Sequence, residues 1–267
     1  MKFETVTTRD LDKIRNLQPE DWSDIVPDFE FYINSPFCNP IKTEIDGTIA
    51  GVGASILFRN TSWIAHIIVD SGYRNRGIGF QIVEELLTQL RRRPIDTCSL
   101  ISTRLGQPVY IKAGFRIVSE YAFFKREKPW KEQPVSENVI PFAEKYRPAI
   151  LSMDQKISGE DREELLTDFL VNSKIFIDNS ELAGYYLPDL KNGPIVAETE
   201  EAGLELMKLK YSSIDTAVLP SDNRVGVEFL KRTGFVELNK QGTRMVFGKE
   251  ISWEPRKIYS RIGGNVG

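Results

Sequence analysis

Apolar residues recur every three to four positions from Ile78 to Leu90. Ile78, Ile82, Val83, Leu86, Leu87 and Leu90 fall on one stripe, which predicts an amphipathic helix beginning at Gly77. Arg91-Arg92-Arg93-Pro94 ends it, with basic charge at the negative pole of the helix dipole. Before it, Lys42–Ile45 and Thr48–Phe58 flank Asp46-Gly47, the preferred two-residue hairpin turn, and Ser62–Val69 is a β-branched run that reads as a buried strand. Earlier still come a short strand at 3–7, a polar cap at Thr8-Arg9-Asp10, a helix carrying Leu11, Ile14 and Leu17, and a second helix over 28–33. After Pro94 the pattern predicts a strand at 97–102, a short helix to Ala113 with Gly114 as its C-cap, and one or two strands over 115–125.

Residues 127–141 hold three prolines among charged side chains and read as a linker. Beyond it the order is helix, strands, helix, strand, helix, then a hairpin of 235–239 with 243–248 about Gln241-Gly242. Both halves close with a strand, a short helix ending in Gly-Phe (Gly114-Phe115, Gly234-Phe235) and a further strand, the sign of a duplication. The expected domains are 1–128 and 138–267, joined by 129–137.

Composition narrows the chemistry. The 267 residues include 35 basic and 38 acidic side chains, a net charge of −3, so no basic face for nucleic acid is expected. Met1-Lys2-Phe3-Glu4 leads into no apolar stretch, and no run approaches the length of a membrane helix. Two cysteines, Cys38 and Cys98, make no disulfide framework, and a cytoplasmic protein is expected. His66 is the single histidine, and it sits within the strand-like run. A zinc site or a Ser-His-Asp triad would have to pass through it, so no metal is expected. Simple alternation puts His66 on the face opposite Trp63 and Ala65, away from any cleft they line.

Between that strand and the amphipathic helix lies Arg74-Asn75-Arg76-Gly77-Ile78-Gly79. Glycines let a ligand approach the backbone, and the first-turn amides of a helix attract an anion such as a pyrophosphate. A dinucleotide fingerprint would need a glycine where Ile82 stands, and a nucleotide phosphate loop would need Gly-Lys-Ser/Thr where Gly79-Phe80-Gln81 stands.

Val69, Arg74-x-x-Gly77-x-Gly79 and, further on, Tyr110-Ile111-Lys112-Ala113-Gly114-Phe115 resemble the acyl-CoA motifs of the GNAT superfamily of N-acetyltransferases. The resemblance covers residues 1–128 and implies an α/β (α+β) fold. Each of two tandem domains would be a mixed, mostly antiparallel twisted sheet flanked by helices, splayed after the fourth strand of the first to admit the pantetheine arm of acetyl-CoA. It implies that the backbone of Ile67, Ile68 and Val69 pairs with the pantetheine amides and that amides from Arg74 through Asn75, Arg76, Gly77 and Ile78 to Gly79 hold the pyrophosphate. It implies, too, that Tyr110 sits near the sulfur as general acid for the departing thiolate. Trp63 occupies a place where such proteins often carry a glutamate base, and Thr103 one where asparagine is common.

The second half resembles a degenerate C-terminal domain of two-domain GNAT proteins, with landmarks at Asp161-Arg162, Leu165-Leu166, Gly193-Pro194-Ile195 and Thr243-Arg244-Met245. Asn223, Gly226, Gly234 and Phe235 fit the same helix pattern, but Leu230 replaces the tyrosine. Glu198-Thr199-Glu200-Glu201 puts carboxylates where phosphates would sit, and like charges repel. This half is therefore expected to bind no CoA, and to complete the open side of the first half's sheet. Trp22, Asp24, Asp28, Phe29, Glu30, Phe31 and Tyr32 make an acidic, aromatic stretch that suits a cationic amine, and the resemblance implies that this region, with Trp63, lines the acceptor site. The function expected is direct transfer of acetyl from acetyl-CoA to a primary amine of a small molecule or peptide, by a monomer or homodimer without nucleic-acid or membrane partners. The alternative is a non-catalytic acyl-CoA sensor.

Overall fold

A computed structural model of the chain describes residues 1–19, 22 and 24–267. The first stretch forms β1 (Glu4–Thr5), α1 (Leu11–Arg15), α2 (Val26–Asn34), β2 (Cys38–Ile45), β3 (Thr48–Leu57), β4 (Thr61–Val69), α3 (Ile78–Leu90), β5 (Thr97–Ser102), α4 (Gln107–Lys112) and β6 (Arg116–Arg126). Residues 127–138 form neither helix nor strand. The remainder forms β7 (Val139–Pro141), α5 (Arg147–Ser158), α6 (Glu163–Leu166), β8 (Lys174–Asp178), β9 (Glu181–Tyr186), β10 (Ile195–Ala197), α7 (Glu200–Tyr211), β11 (Thr216–Pro220), α8 (Arg224–Arg232), β12 (Phe235–Glu237), β13 (Gly242–Gly248) and β14 (Ile258–Ser260). None of the described helices is long and apolar enough to cross a membrane.

The chain divides into two compact units that are discontinuous in sequence. The first comprises 1–117 together with Met245–Lys249 and Gly264–Val266. Its strands run β1-β2-β3-β4-β5 and then the end of β13. The β2–β3 hairpin turns at Asp46 and Gly47, both left-handed (φ 51° and 76°), as the Asp-Gly pair predicts. β3 and β4 are antiparallel, whereas β4 and β5 run parallel and pair only from Thr61↔Thr97 to Trp63↔Ser99. Beyond Trp63 the two strands part, the splay expected of this fold.

Helix α3 lies against β3 and β4 through the stripe read from the sequence, all six residues of which are buried. It comes so close that a Cβ on Gly53 of β3 would sit 2.7 Å from Ile82 Cγ2 of the helix. Strand β13 supplies an edge to this unit: Lys249 N–H donates to Asp96 O (3.0 Å), Thr97 Oγ1 donates to Lys249 O (2.8 Å), and Phe247 packs on Phe115.

The β3–β4 register shifts between Val52↔Ile68 and Ala54↔Ala65, so Gly53 faces two residues, His66 and Ile67. This is a β-bulge, and His66 is left-handed within it (φ 50°). Strict alternation therefore does not hold along β4. Ile64, Ile67 and Val69 pack toward α3, while His66 meets the rings of α2.

The second unit comprises 118–244, 250–263 and Gly267. In it β6 pairs antiparallel with β11 (Phe124↔Ala217) and with β12 (Lys125↔Val236), and a second sheet has the order β14-β10-β9-β8-β7. Its core gathers Phe124, Phe176, Leu206, Met207, Tyr211, Leu219 and Leu230. Buried Arg162 grips Asp154 through both carboxylate oxygens (2.9 and 2.6 Å), and Tyr185 donates to the same carboxylate. One expectation fails here. Residues 235–239 and 243–248 form no hairpin, because β12 takes β6 as its partner while β13 lies beside β5. Residues 115–125, expected as one or two strands, form most of the single strand β6.

Candidate active site

The turn leaving β4 is built by its own residues. Asp70 Oδ1 accepts from Gly72 N–H (2.8 Å), and Arg74 Nε donates back to Val69 O (3.2 Å), tying the loop to the strand end. Asn75 (φ 62°) and Gly77 (φ 77°) are both left-handed, and Gly77 caps α3. Asparagine tolerates that conformation and glycine adopts it without cost. A Cβ on Gly77 would meet nothing within 4 Å, so open space lies in front of the loop. Amides of the first helical turn have no partner inside the helix. Arg74 and Arg76 are exposed at the rim, with the Arg76 guanidinium 5.3 Å from the Tyr73 ring centre.

Splayed strand and anion-attracting helix start are contiguous. From Ile64 to Val69, the side of β4 that would face β5 has no strand paired to it among the described residues, and Ile67, Ile68 and Val69 end the strand before the loop. A ligand with amides along a slender arm and a diphosphate at one end fits this order of groups. Residues 67–69 and 74–79 are thus close along the chain, with Arg74 and Arg76 exposed at the rim of the loop.

Tyr110 stands on α4, and in the turn before that helix the Thr103 hydroxyl accepts from Gly106 N–H (3.2 Å). Gly114 (φ 93°) ends the helix, and the Tyr110 ring packs edge-on against Phe115 at 6.0 Å. Tyr110 is buried, and burial pushes its phenol above the ordinary value, so it holds its proton at neutral pH.

The acceptor-side residues separate into two groups. Phe29, Tyr32 and Trp63 are completely buried, whereas Glu30 is exposed and lies on the far side of α2 from Asp28 and Tyr32. The bulge draws His66 into the first group. Its Nδ1 lies 2.8 Å from Tyr32 Oη and its Nε2 3.5 Å from Asp28 Oδ2, with the Trp22 and Phe29 rings each 5.8 Å away. Asn265 Nδ2 donates to Tyr32 Oη (2.7 Å) and reaches Asp28 Oδ1 (3.4 Å). Sequence reasoning set His66 aside by alternation and never raised Asn265. A left-handed histidine in a β-branched run leaves no mark in the sequence, and Asn265 is distant along the chain.

The equivalent loop of the second unit is made differently. Thr199 caps α7 by accepting from Ala202 N–H (3.2 Å), and Glu198 is held by Lys156 (2.7 Å) and Lys257 (2.6 Å). Glu200 and Glu201 are exposed at that helix start. Among the described residues no cluster of three metal-ligating side chains occurs.

Comparison with known proteins agrees with this geometry. Models of the GNAT acetyltransferase domain match residues 15–126 and, separately, 150–260. The uncharacterized N-acetyltransferase YitH of Bacillus subtilis is 26% identical over 174 residues, an alignment spanning 61% of this chain and 61% of that protein. A Pyrococcus horikoshii structure provisionally described as an acetyltransferase superposes with a TM-score of 0.83 at 17% identity, covering 100% of this chain and 95% of that one. A GCN5-related N-acetyltransferase from Sphaerobacter thermophilus superposes at 0.63 with 13% identity, covering 94% and 98%. With two matched domains that together take in most of its length, the chain belongs to the GNAT acetyltransferases, as a tandem-domain member.

Proposed function

We propose that the protein is an N-acetyltransferase that uses acetyl-CoA and a primary amine of a small molecule or peptide. The observation that carries this reading is the splay of β4 from β5 directly before a glycine-bearing, arginine-rimmed helix start. Bound acetyl-CoA supplies an acetyl group already activated as a thioester. The chain's part is to hold it and to manage protons. The backbone of 67–69 lines the arm, amides of 74–79 face the diphosphate, and Arg74 and Arg76 add charge. Tyr110 presents a phenolic O–H where negative charge develops on the departing sulfur. The amine attacks directly, with no acyl-protein intermediate.

Thermal unfolding with acetyl-CoA, using NAD and ATP as controls, tests the cofactor. Ligand at about 100 times its Kd adds about 2.7 kcal/mol, roughly 5–10 °C for domains of this size. A shift with acetyl-CoA alone is expected, and no shift rejects the reading. Buried Trp63, which offers no proton-accepting group, favours a second reading as a non-catalytic acyl-CoA sensor. Thiol release with an amine panel separates the two, since a sensor shows the thermal shift and no turnover.

A further inference from the structure

His66, Tyr32, Asp28 and Asn265 form one hydrogen-bonded cluster in the first unit, and its proton order follows from chemistry. Burial, and then the charge of Asp28, push the Tyr32 phenol well above its ordinary value, so it keeps its proton. Tyr32 Oη accepts from Asn265 Nδ2, and its own O–H therefore points to His66 Nδ1. Neutral His66 must then carry its hydrogen on Nε2, the nitrogen that faces Asp28. Among the described residues, one oxygen of Asp28 looks toward the His66 N–H and the other toward Asn265, while its side chain stays 25% exposed.

We propose that Asp28 is the cation-binding carboxylate of the acceptor site and that His66, set by Tyr32 and Asn265, is the positioning residue that couples its occupancy to pH. The proposal deepens the acetyltransferase reading, in which the acceptor arrives as an ammonium ion. A second proton on His66 would have to sit on Nδ1, against the Tyr32 O–H, and would place a positive charge beside Asp28. Imidazolium and ammonium therefore compete for one carboxylate, and by linkage each weakens the other's binding equally. The titratable or charged groups facing the cluster among the described residues are Asp28 and Tyr32 from α2 and Cys38 from β2; Asn265 adds an uncharged donor. The left-handed backbone at His66, rare for a residue with a side chain, is the local cost of turning the imidazole to this side.

The single histidine makes the test direct, because imidazole resonances in the full-length chain have one source. Proton–nitrogen NMR of the free protein is expected to show the Nε2–H tautomer. Saturating 1,4-diaminobutane is expected to lower the imidazole titration midpoint by about half a pH unit or more, a threefold loss of proton affinity; 1,4-butanediol is expected to leave it unchanged. In Asp28→Asn the midpoint should start lower and not respond to the diamine. An Nδ1–H tautomer, an unmoved wild-type midpoint, or an equal shift in Asp28→Asn overturns the proposal. Acetyl-CoA stabilisation of the same samples reports on the parent reading separately: its absence rejects the acetyltransferase, and the histidine titration alone decides the cation site.

Discussion

The tyrosine-bearing helix of the first unit and its counterpart in the second begin and end alike. Thr103 accepts from Gly106 N–H in the turn that leads into α4, and Asn223 accepts from Gly226 N–H as the N-cap of α8. Gly114 and Gly234 close the helices in left-handed conformation (φ 93° and 91°), and Phe115 and Phe235 follow, both buried. Within that shared frame one position differs in chemistry: Tyr110 brings a hydroxyl, and Leu230 is a core residue with no exposure at all. The loops diverge further, arginines and a left-handed glycine in one, and in the other Glu198 tied to two lysines beside exposed Glu200 and Glu201. Capping and packing survive in both copies because folding needs them. What the second copy lacks is the tyrosine hydroxyl and the arginine-rimmed glycine turn.

That contrast can be broken in graded steps. The largest effect should come from residues 1–128 expressed alone, which lack the β13 edge and Asn265. Chemical denaturation is expected to show no cooperative transition, whereas the whole chain unfolds cooperatively; a sharp transition in the fragment would show that the unit needs no later segment. Next, Arg74→Glu with Arg76→Glu should weaken acetyl-CoA about 100-fold, about 2.7 kcal/mol, in calorimetric titration. Glu200→Gln with Glu201→Gln should leave that affinity where it was, because neutral side chains do not restore the missing glycine turn. Tyr110→Phe is expected to lower kcat about 100-fold, the low end for a lost proton donor, with acetyl-CoA affinity retained. The reciprocal Leu230→Tyr should add no activity and cost about 1–3 kcal/mol of stability from overpacking.

The smallest effects lie in the acid range. Burial by itself would raise the Asp10 carboxyl, but hydrogen bonds from Lys42, from Thr7 N–H and from the Thr7 hydroxyl hold it below its ordinary value. Its ionised form is therefore favoured by folding. That stability is present above the unfolded pKa and disappears as pH falls through the folded one. Asp10→Asn should cost about 1 kcal/mol near neutrality, and the difference from wild type should close on acidification. Glu198 of the second unit, opposed by its own burial but drawn down by Lys156 and Lys257, should lose its contribution in the same direction.

Much of this was readable from residues in order. The α3 stripe, the Asp46-Gly47 hairpin, the glycine loop and both Gly-Phe helix ends are local patterns, and local patterns are what periodicity and turn chemistry report. The bulge was not readable, since inserting one residue into β4 changes register without requiring any particular side chain. Nor was the fate of β13. A Gln-Gly turn between two β-like runs argues for a hairpin, and only the partners available elsewhere decide that β12 joins β6 and β13 joins β5. The His66 cluster combines both difficulties, a register shift and a residue from far along the chain.

The strand segment at Met245–Lys249, which lies beside β5, also sets a timetable. On a ribosome, β5 and the hydrophobic stripe of α3 emerge long before the segment that belongs beside them. At ordinary elongation rates the interval is on the order of ten seconds, far longer than helix or hairpin formation takes. During that time the open edge of β5 is exposed to other chains. Nascent-chain crowding, chaperone supply and synonymous codon choice between residues 117 and 245 should therefore influence the yield of this protein more than that of a GNAT domain whose sheet closes within one continuous stretch.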